Sequence, residues 1–213
     1  MGNKLNRPDV KVLKPRREPR QGRSIKRAQE IMDVTARLLD RVGFDDLTTI
    51  LITKEMGISV GSLYHYFPNK HAILHSLAES WLNDWDIVLS EISKITVEEM
   101  DLKTIVEKFS TALLGVYKQQ RGVLPLVQAM YAVPELRDLD ERHDKIVVKF
   151  MSAIFIRMGI NQSKSELARI SSVFIEVTHA LLVMVLAQKG QSAERTLNDL
   201  NSFIYNLLNR YKS

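Results

Sequence analysis

The sequence has no cysteine, which at once excludes disulfides, thiolate-held metals and a cysteine nucleophile. Glycine and proline are scarce, nine and six in 213 residues, so neither a collagen-like repeat nor a low-complexity chain fits. Long apolar runs are missing as well. The longest, Ala180 to Ala187, falls far short of the ~20 residues that a spanning helix needs. Basic residues from Lys4 to Arg17 interrupt the region where a signal peptide would carry its apolar stretch. The expectation is a cytoplasmic protein with no membrane partner. The phosphate-cradling G-x-x-x-x-G-K-[ST] and G-x-G-x-x-G loops and the G-x-S-x-G nucleophile elbow are also absent, so no catalytic residue is nominated. His71, His75 and Glu79 share a helical stripe but lack the frame of a zinc protease, and no metal or cofactor is expected. A helical enzyme is the least supported class.

What is present is unevenly distributed charge. The chain carries 30 Lys and Arg against 25 Asp and Glu, a formal net of +5. Residues 1–27 hold ten basic side chains and two acidic ones, a net of +8, while the rest holds 20 and 23, a net of −3. Pro8, Pro15 and Pro19 sit among those early charges, and no periodic apolar face accompanies them. Such a segment buries too little surface to offset its chain entropy, so residues 1–23 read as a basic disordered arm. An arm of this kind on a near-neutral body suggests a polyanion partner. A solubilising tail is the plain alternative.

From Ser24 the pattern becomes helical and stays so. Ile25, Ala28, Ile31, Met32, Val34, Thr35, Leu38 and Leu39 recur at helical spacing, with Ser24 as a cap and Gly43 as a stop. Thr48 and Thr49 open a short helix that Gly57 ends. Ser59 caps another that reaches Tyr66 or Phe67, and Asn69 caps a long helix from Lys70. Two short helices around a Gly turn have the outline of a helix-turn-helix. Within the second, Leu63 and Phe67 face inward, whereas Ser62, Tyr64, His65 and Tyr66 bring hydroxyl and ring groups to the surface. Gly61 permits close approach by a backbone. Short groups at a helix N-terminus suit major-groove base edges, and Lys70 suits a phosphate.

The spacing of Thr48-Thr49, Gly57, Gly61-Ser62-Leu63-Tyr64-His65-Tyr66-Phe67 and Lys70 closely resembles the tetracycline-repressor (TetR) family of bacterial transcription regulators. The likeness covers residues 24 to about 84. It implies an all-α subunit of about nine helices, with a helix-turn-helix at 48–67 inside a DNA-binding domain at 24–84. A ligand-binding and dimerisation domain would occupy 85–213. Carried over by position, Thr49 would contact phosphate. Val60, Gly61 and Ser62 would face bases with His65 beside them, and Tyr64, Tyr66 and Lys70 would grip the backbone. The caps Thr48 and Ser59 belong to the same DNA-facing set. Two positions depart from the family: Ile50 stands where a polar group is frequent, and Thr53 where a small Ala packs. Arg16, Arg17, Arg20 and Arg23 of the arm are expected to supply the contacts that the second helix lacks.

Beyond residue 84 the apolar pattern continues through helices at 70–95, Ile105–Tyr117, a short segment after Arg121, Gly122 and Pro125, Pro134–Gly159, Lys164–Lys189 and Ser192–Tyr211. The last two are apolar on more than one face, which asks for a partner subunit as cover. The resemblance implies the same: a homodimer through these helices, bound to double-stranded DNA at a palindromic operator. Trp85, Phe109, Tyr117, Met130, Phe150, Met151 and Phe155 could line an apolar pocket for an unidentified small-molecule effector, with plain core packing as the alternative. Glu176 and His179, three apart, share a face and fit either a core pair or a ligand pair. Asp138, Asp140, Glu141 and Asp144 read as solvated surface. The function these features imply is a ligand-responsive, sequence-specific repressor, with a non-specific DNA-coating protein as the runner-up.

Overall fold

The computed structural model describes residues 22–119 and 122–212. Among them the chain forms nine α-helices and one 3-10 turn. In order these are α1 (Gly22–Asp46), α2 (Thr49–Met56), α3 (Val60–Tyr66), α4 (Lys70–Ser93), the turn Val97–Glu99, α5 (Leu102–Gln119), α6 (Val123–Ala132), α7 (Pro134–Arg157), α8 (Lys164–Ala187) and α9 (Gln191–Asn209). The all-α class is as expected. The arm with Arg16, Arg17 and Arg20, the Arg23 side chain and the break at Arg121 lie outside the described residues.

Local chemistry sets the helix boundaries. The Thr48 side chain accepts the Leu51 N–H at 3.1 Å, that of Ser59 accepts the Ser62 N–H at 3.1 Å, and that of Asn69 accepts the Ala72 N–H at 2.9 Å. Each cap satisfies an amide that its helix cannot, and contributes about 1 kcal/mol. Gly57 ends α2 in the left-handed region, φ 63°. Ser24 is not a cap: α1 begins at Gly22, which places Ser24 in its first turn. Gly43 (φ 79°, ψ 179°) does interrupt α1, but helical turns resume as far as Asp46.

The first three helices close on Ile31, Leu38, Leu47, Ile52, Leu63 and Phe67, all essentially buried. Thr53, in place of a smaller residue, is buried too, but its hydroxyl donates to the Ile50 carbonyl at 2.9 Å, so no partner is missing. From this unit α4 runs on as a rod of about 36 Å. Its later turns bury Trp81, Leu82, Trp85, Leu89 and Ile92 among α5–α8. Arg157, at the end of α7, fixes the far end of that rod. It donates to the Ser93 and Ile95 carbonyls at 2.7 and 2.9 Å and makes a bidentate pair with Glu98 at 2.7 and 3.1 Å.

α6 joins the two halves, because it packs on α1 as well as on α7. At its entry Gly122 has φ +71°, and a Cβ there would fall 2.6 Å from the Ala36 carbonyl oxygen. Both conformation and space demand glycine. Gly122→Ala is therefore expected to cost at least about 1–2 kcal/mol from backbone strain alone and to lift α6 away from α1. A thermal melt checks this; an unchanged midpoint would contradict the close approach.

α8 and α9 form a hairpin around Gly190, φ 56°, across which the Thr196 hydroxyl donates to Gln188 Oε1 at 2.7 Å. One face of α8 (Leu167, Ile170, Phe174, Leu182, Val185) enters the core. A second stripe, Val173, Val177, Ala180, Met184 and Ala187, recurs every three or four residues yet stays half-exposed or exposed. These two faces together make α8 long and apolar enough, by length and composition, to cross a membrane, although the longest uninterrupted run is short.

Candidate nucleic-acid interface and interior pocket

α3 has two opposite sides. Leu63 and Phe67 root it in the core, while Ser59, Val60, Gly61, Ser62, Tyr64 and His65 are exposed together. The Ser59 and Ser62 hydroxyls lie 2.9 Å apart, so one side chain caps the helix and the other turns toward it. A Cβ on Gly61 would meet only Ser59 Oγ, at 3.9 Å, so its lack of a side chain answers to nothing inside the chain. Tyr66 is half-buried and meets the His65 ring edge-on at 5.1 Å. Thr49 Oγ1 and the Tyr64 hydroxyl, 3.5 Å apart, link the start of α2 to the last turn of α3. The Ile50 side chain is 69% exposed at the same end.

Lys70 is less free than its type suggests. Its Nζ donates to the Phe44 carbonyl at 3.2 Å and sits 4.5 Å above the Phe44 ring, so it ties α4 to the end of α1. Arg27 is a basic group that the motif does not contain. It lines a cleft of about 330 Å³ beside α3 with Ile58, Ser62, His65 and Tyr66.

A second convergence lies inside the C-terminal bundle. Trp81 and Trp85 from α4, Tyr117 from α5, Tyr131 from α6 and His179 from α8 form a continuous ring cluster, with centroids 5.5 Å apart for Trp81–Tyr117 and 5.6 Å for Trp85–Tyr117. His179 lies 6.4 Å from Trp81 and 6.5 Å from Tyr131. Burial raises the Tyr117 pKa well above its ordinary value and lowers that of His179, so the phenol keeps its proton and the imidazole stays neutral. The Tyr117 hydroxyl and His179 Nδ1 share a hydrogen bond, in which the Nε2–H tautomer accepts from the phenol and the Nδ1–H tautomer donates to it. Both indole N–H groups are buried without a hydrogen-bond partner, at a typical cost of about 1–3 kcal/mol each. Against this cluster lies a cavity of about 30 Å³, lined in part by Trp81, Trp85, Asp140, His143, Asp144 and His179.

Two carboxylates of the expected surface cluster belong to this cavity. Asp138 and Glu141 are exposed, but Asp140 and Asp144 are half-buried. Burial, then the neighbouring Asp144, Glu176 and Glu141, push the Asp140 carboxyl up to about 6. Asp144 is raised chiefly by burial and by Glu176, while His143 opposes the shift. His143 itself has Asp86 as its partner, 3.2 Å away. Glu176 and His179 do not pair with each other, since His179 binds Tyr117 and Glu176 is exposed on α8. Of the aromatic and Met candidates, Trp85 and Tyr117 converge here. Phe109, Met130 and Met151 are core residues, Phe150 is half-buried against that core, and Phe155 packs edge-on against Phe174 at 5.6 Å.

Two family models match this chain: bacterial regulatory proteins of the tetR family over residues 31–77, and the tetracyclin repressor-like C-terminal domain over residues 101–208. The chain belongs to the TetR family. Among curated relatives it is 27% identical over 103 residues to the nucleoid occlusion factor SlmA of Marinomonas sp., which is 48% of this chain and 51% of that protein. It is 32% identical over 73 residues to the regulator BetI of Vibrio campbellii, 34% of this chain and 37% of that protein. The chain thus spans about half or less of the length of these relatives. A transcriptional regulator of Saccharomonospora viridis crystallised with choline shares the TetR fold, with a TM-score of 0.67 at 18% identity over 84% of this chain and 96% of that one.

In this TetR-family chain, motif reasoning missed Arg27, Trp81, Tyr131, Asp140 and Asp144. The only advance signal was that Trp81 precedes Trp85 by one helical turn on a shared face.

Proposed function

We propose that the chain is a cytoplasmic homodimeric repressor that reads a palindromic operator with α3 and leaves it when a small molecule binds in the C-terminal bundle. The observation that carries this reading is the exposed row Ser59–Val60–Gly61–Ser62 at the capped start of a helix rooted by Leu63 and Phe67. A rigid helix presenting small groups matches what a major groove admits. Gly61, with open space above it, leaves room for a base edge or sugar. In this reading Val60, Gly61, Ser62 and His65 meet bases, whereas Thr48, Thr49, Tyr64, Tyr66, Lys70 and Arg27 meet phosphates. Residues 1–23 act as a basic arm along the backbone, with a reading unit at 24–84 and an effector and dimer unit at 85–213.

The unpartnered stripe on α8, together with Phe203 and Leu207 on α9, supports a four-helix dimer interface. The choline-bound relative supports an effector of small-molecule size. Coupling would run along α4, which carries Trp81 and Trp85 in its middle turns and the Asn69 cap at its start, and through α6 where Gly122 meets α1. By linkage, an effector that releases DNA must bind the free dimer more tightly than the DNA-bound one.

Three substitutions separate the roles. Ser62→Ala is expected to change preference at one base position by about 1–3 kcal/mol. Tyr64→Phe weakens binding on every sequence without changing the melt. Lys70→Ala does the same, lowers the salt slope by about one unit, and also lowers the melting temperature because the Phe44 anchor is lost. Titrations on a panel of operator variants read all three; equal loss on every sequence for Ser62→Ala would remove Ser62 from the base-reading set.

A further inference from the structure

The interior pocket has an unusual chemical make-up for an apolar bundle. The Trp81, Trp85 and His179 rings line it, with Tyr117 and Tyr131 packed against those rings, and two carboxylates line it with them. Asp140 and Asp144 line the cavity and Glu176 acts on both, yet among the described residues none of the three has a Lys or Arg ion-pair partner. The other charged or titratable groups that face them are Asp86 from α4, Tyr117 from α5, Tyr131 from α6, Glu141 and His143 from α7, and His179 from α8. Neutral His179 supplies no compensating charge. The indoles of Trp81 and Trp85, 3% and 7% exposed, line the same cavity with unused N–H donors. A bare cation would satisfy the carboxylates and rings but leave those donors idle. A neutral ligand would do the reverse.

We propose that this corner is the receptor for a small organic cation that also carries an oxygen acceptor. Its ammonium end lies against the Trp81 and Trp85 rings and the Asp140 and Asp144 carboxylates, with Glu176 adding long-range negative charge, and its oxygen accepts from the indole N–H groups. Ring faces attract a cation through their quadrupole within about 6 Å of the centroid, and alkylated ammonium groups suit them because they are weakly hydrated. The inference rests on the effector reading above and narrows it to a chemical class.

The cavity, about 30 Å³, admits little more than one water, so a ligand must displace a wall. In this proposal the wall that yields is His179 together with Tyr131, which packs on it from outside the cavity. The Tyr131 side chain is 57% exposed, its ring meets His179, and it belongs to the helix whose entry touches α1. Displacing it shifts α6, and with α6 the contact at Gly122 and Ala36.

The test uses the full-length protein, with choline as the probe and 3,3-dimethylbutan-1-ol as its neutral isostere. Calorimetry and tryptophan emission read binding at constant ionic strength. Choline is expected to bind at least tenfold more tightly than the isostere and to change the emission of the clustered indoles. Asp140→Asn with Asp144→Asn should remove at least tenfold of that preference while the melt stays cooperative. Trp85→Phe, which keeps a ring but deletes a donor, should weaken choline more than it weakens tetramethylammonium. Equal binding of choline and the isostere, or no binding of either at millimolar concentration, would overturn the proposal. The two readings fail separately. Operator release by a neutral or anionic compound alone would sink the cation pocket and leave the repressor; choline binding without any sequence-specific DNA complex would do the opposite.

Discussion

The parent is expected to run as a dimer, and a protein carrying Met184→Glu together with Phe203→Glu as a monomer that loses about a hundred- to ten-thousandfold in operator affinity. Met184 is 48% exposed and Phe203 61% exposed, so neither supports the subunit's own core. Met184 belongs to the second apolar stripe of α8, and Phe203 lies one turn from Leu207 on α9. Burying such side chains in an isologous interface stabilises it by about 1.5–3 kcal/mol each, and symmetry counts every residue twice. A glutamate there adds an unpaired buried charge to the lost burial. Once the dimer separates, each half-site is bound independently, and the effective concentration that ties two recognition helices to one operator is lost. Light scattering gives the mass, anisotropy gives the affinity, and circular dichroism should report unchanged helix content. A variant that stays dimeric would place the interface elsewhere.

The second large effect is a gain. Asp140→Asn is expected to raise stability at pH 7 while weakening cation binding. The folded carboxyl titrates at about 6 against an ordinary value of 3.8, so between those values the folded state holds more protons than the unfolded one. Stability from this group is therefore fully present below 3.8 and lost as the pH rises through about 6. Asparagine mimics the protonated form at every pH. The difference between variant and parent should be near zero at pH 4, grow through pH 5–6, and level off above that. Because the carboxyl keeps partial contact with solvent, the plateau is discounted to about 1 kcal/mol, or about 2–4 °C for a chain of this size. Choline affinity in the parent should rise over the same pH range, since the ammonium group prefers the ionised carboxylate. A melting difference constant from pH 4 to 8 would contradict the assignment.

Much of the fold was readable because its determinants are local. Thr48, Ser59 and Asn69 cap helices, and Gly57, Gly43 and Pro134 end, break or open them, through chemistry confined to one turn. The family likeness rests on the same short-range spacing. The start of α1 was less legible, because Ser24 is a good cap type that lies inside the first turn of a helix already begun.

The interior pocket was legible only in fragments. Trp85 and His179 line the cavity and Tyr117 packs against both, whereas Phe109, Met151 and Phe155, buried at the same helical spacing, lie outside its lining. Periodicity tells which residues face inward and not which helices cross there. Asp140 and Asp144 lie in the early turns of a proline-started helix, where acidic residues ordinarily serve the helix dipole at the surface. Only the packing of α7 against α4 and α8 turns them toward the indoles. Lys70 carries a different lesson. A basic residue in a DNA-binding motif can also be a fold anchor, and its bond to the Phe44 carbonyl is not visible from spacing.

The most direct test of the central claim is a titration of the full-length protein on DNA flanking its own gene, with excess unrelated DNA as competitor and footprinting of any complex. The account predicts a discrete complex that survives competition and protects two half-sites about 34–36 Å apart or a multiple of it. Binding that the competitor removes in full, here and on a random-sequence library, would contradict it and would leave a basic protein that coats DNA without reading it.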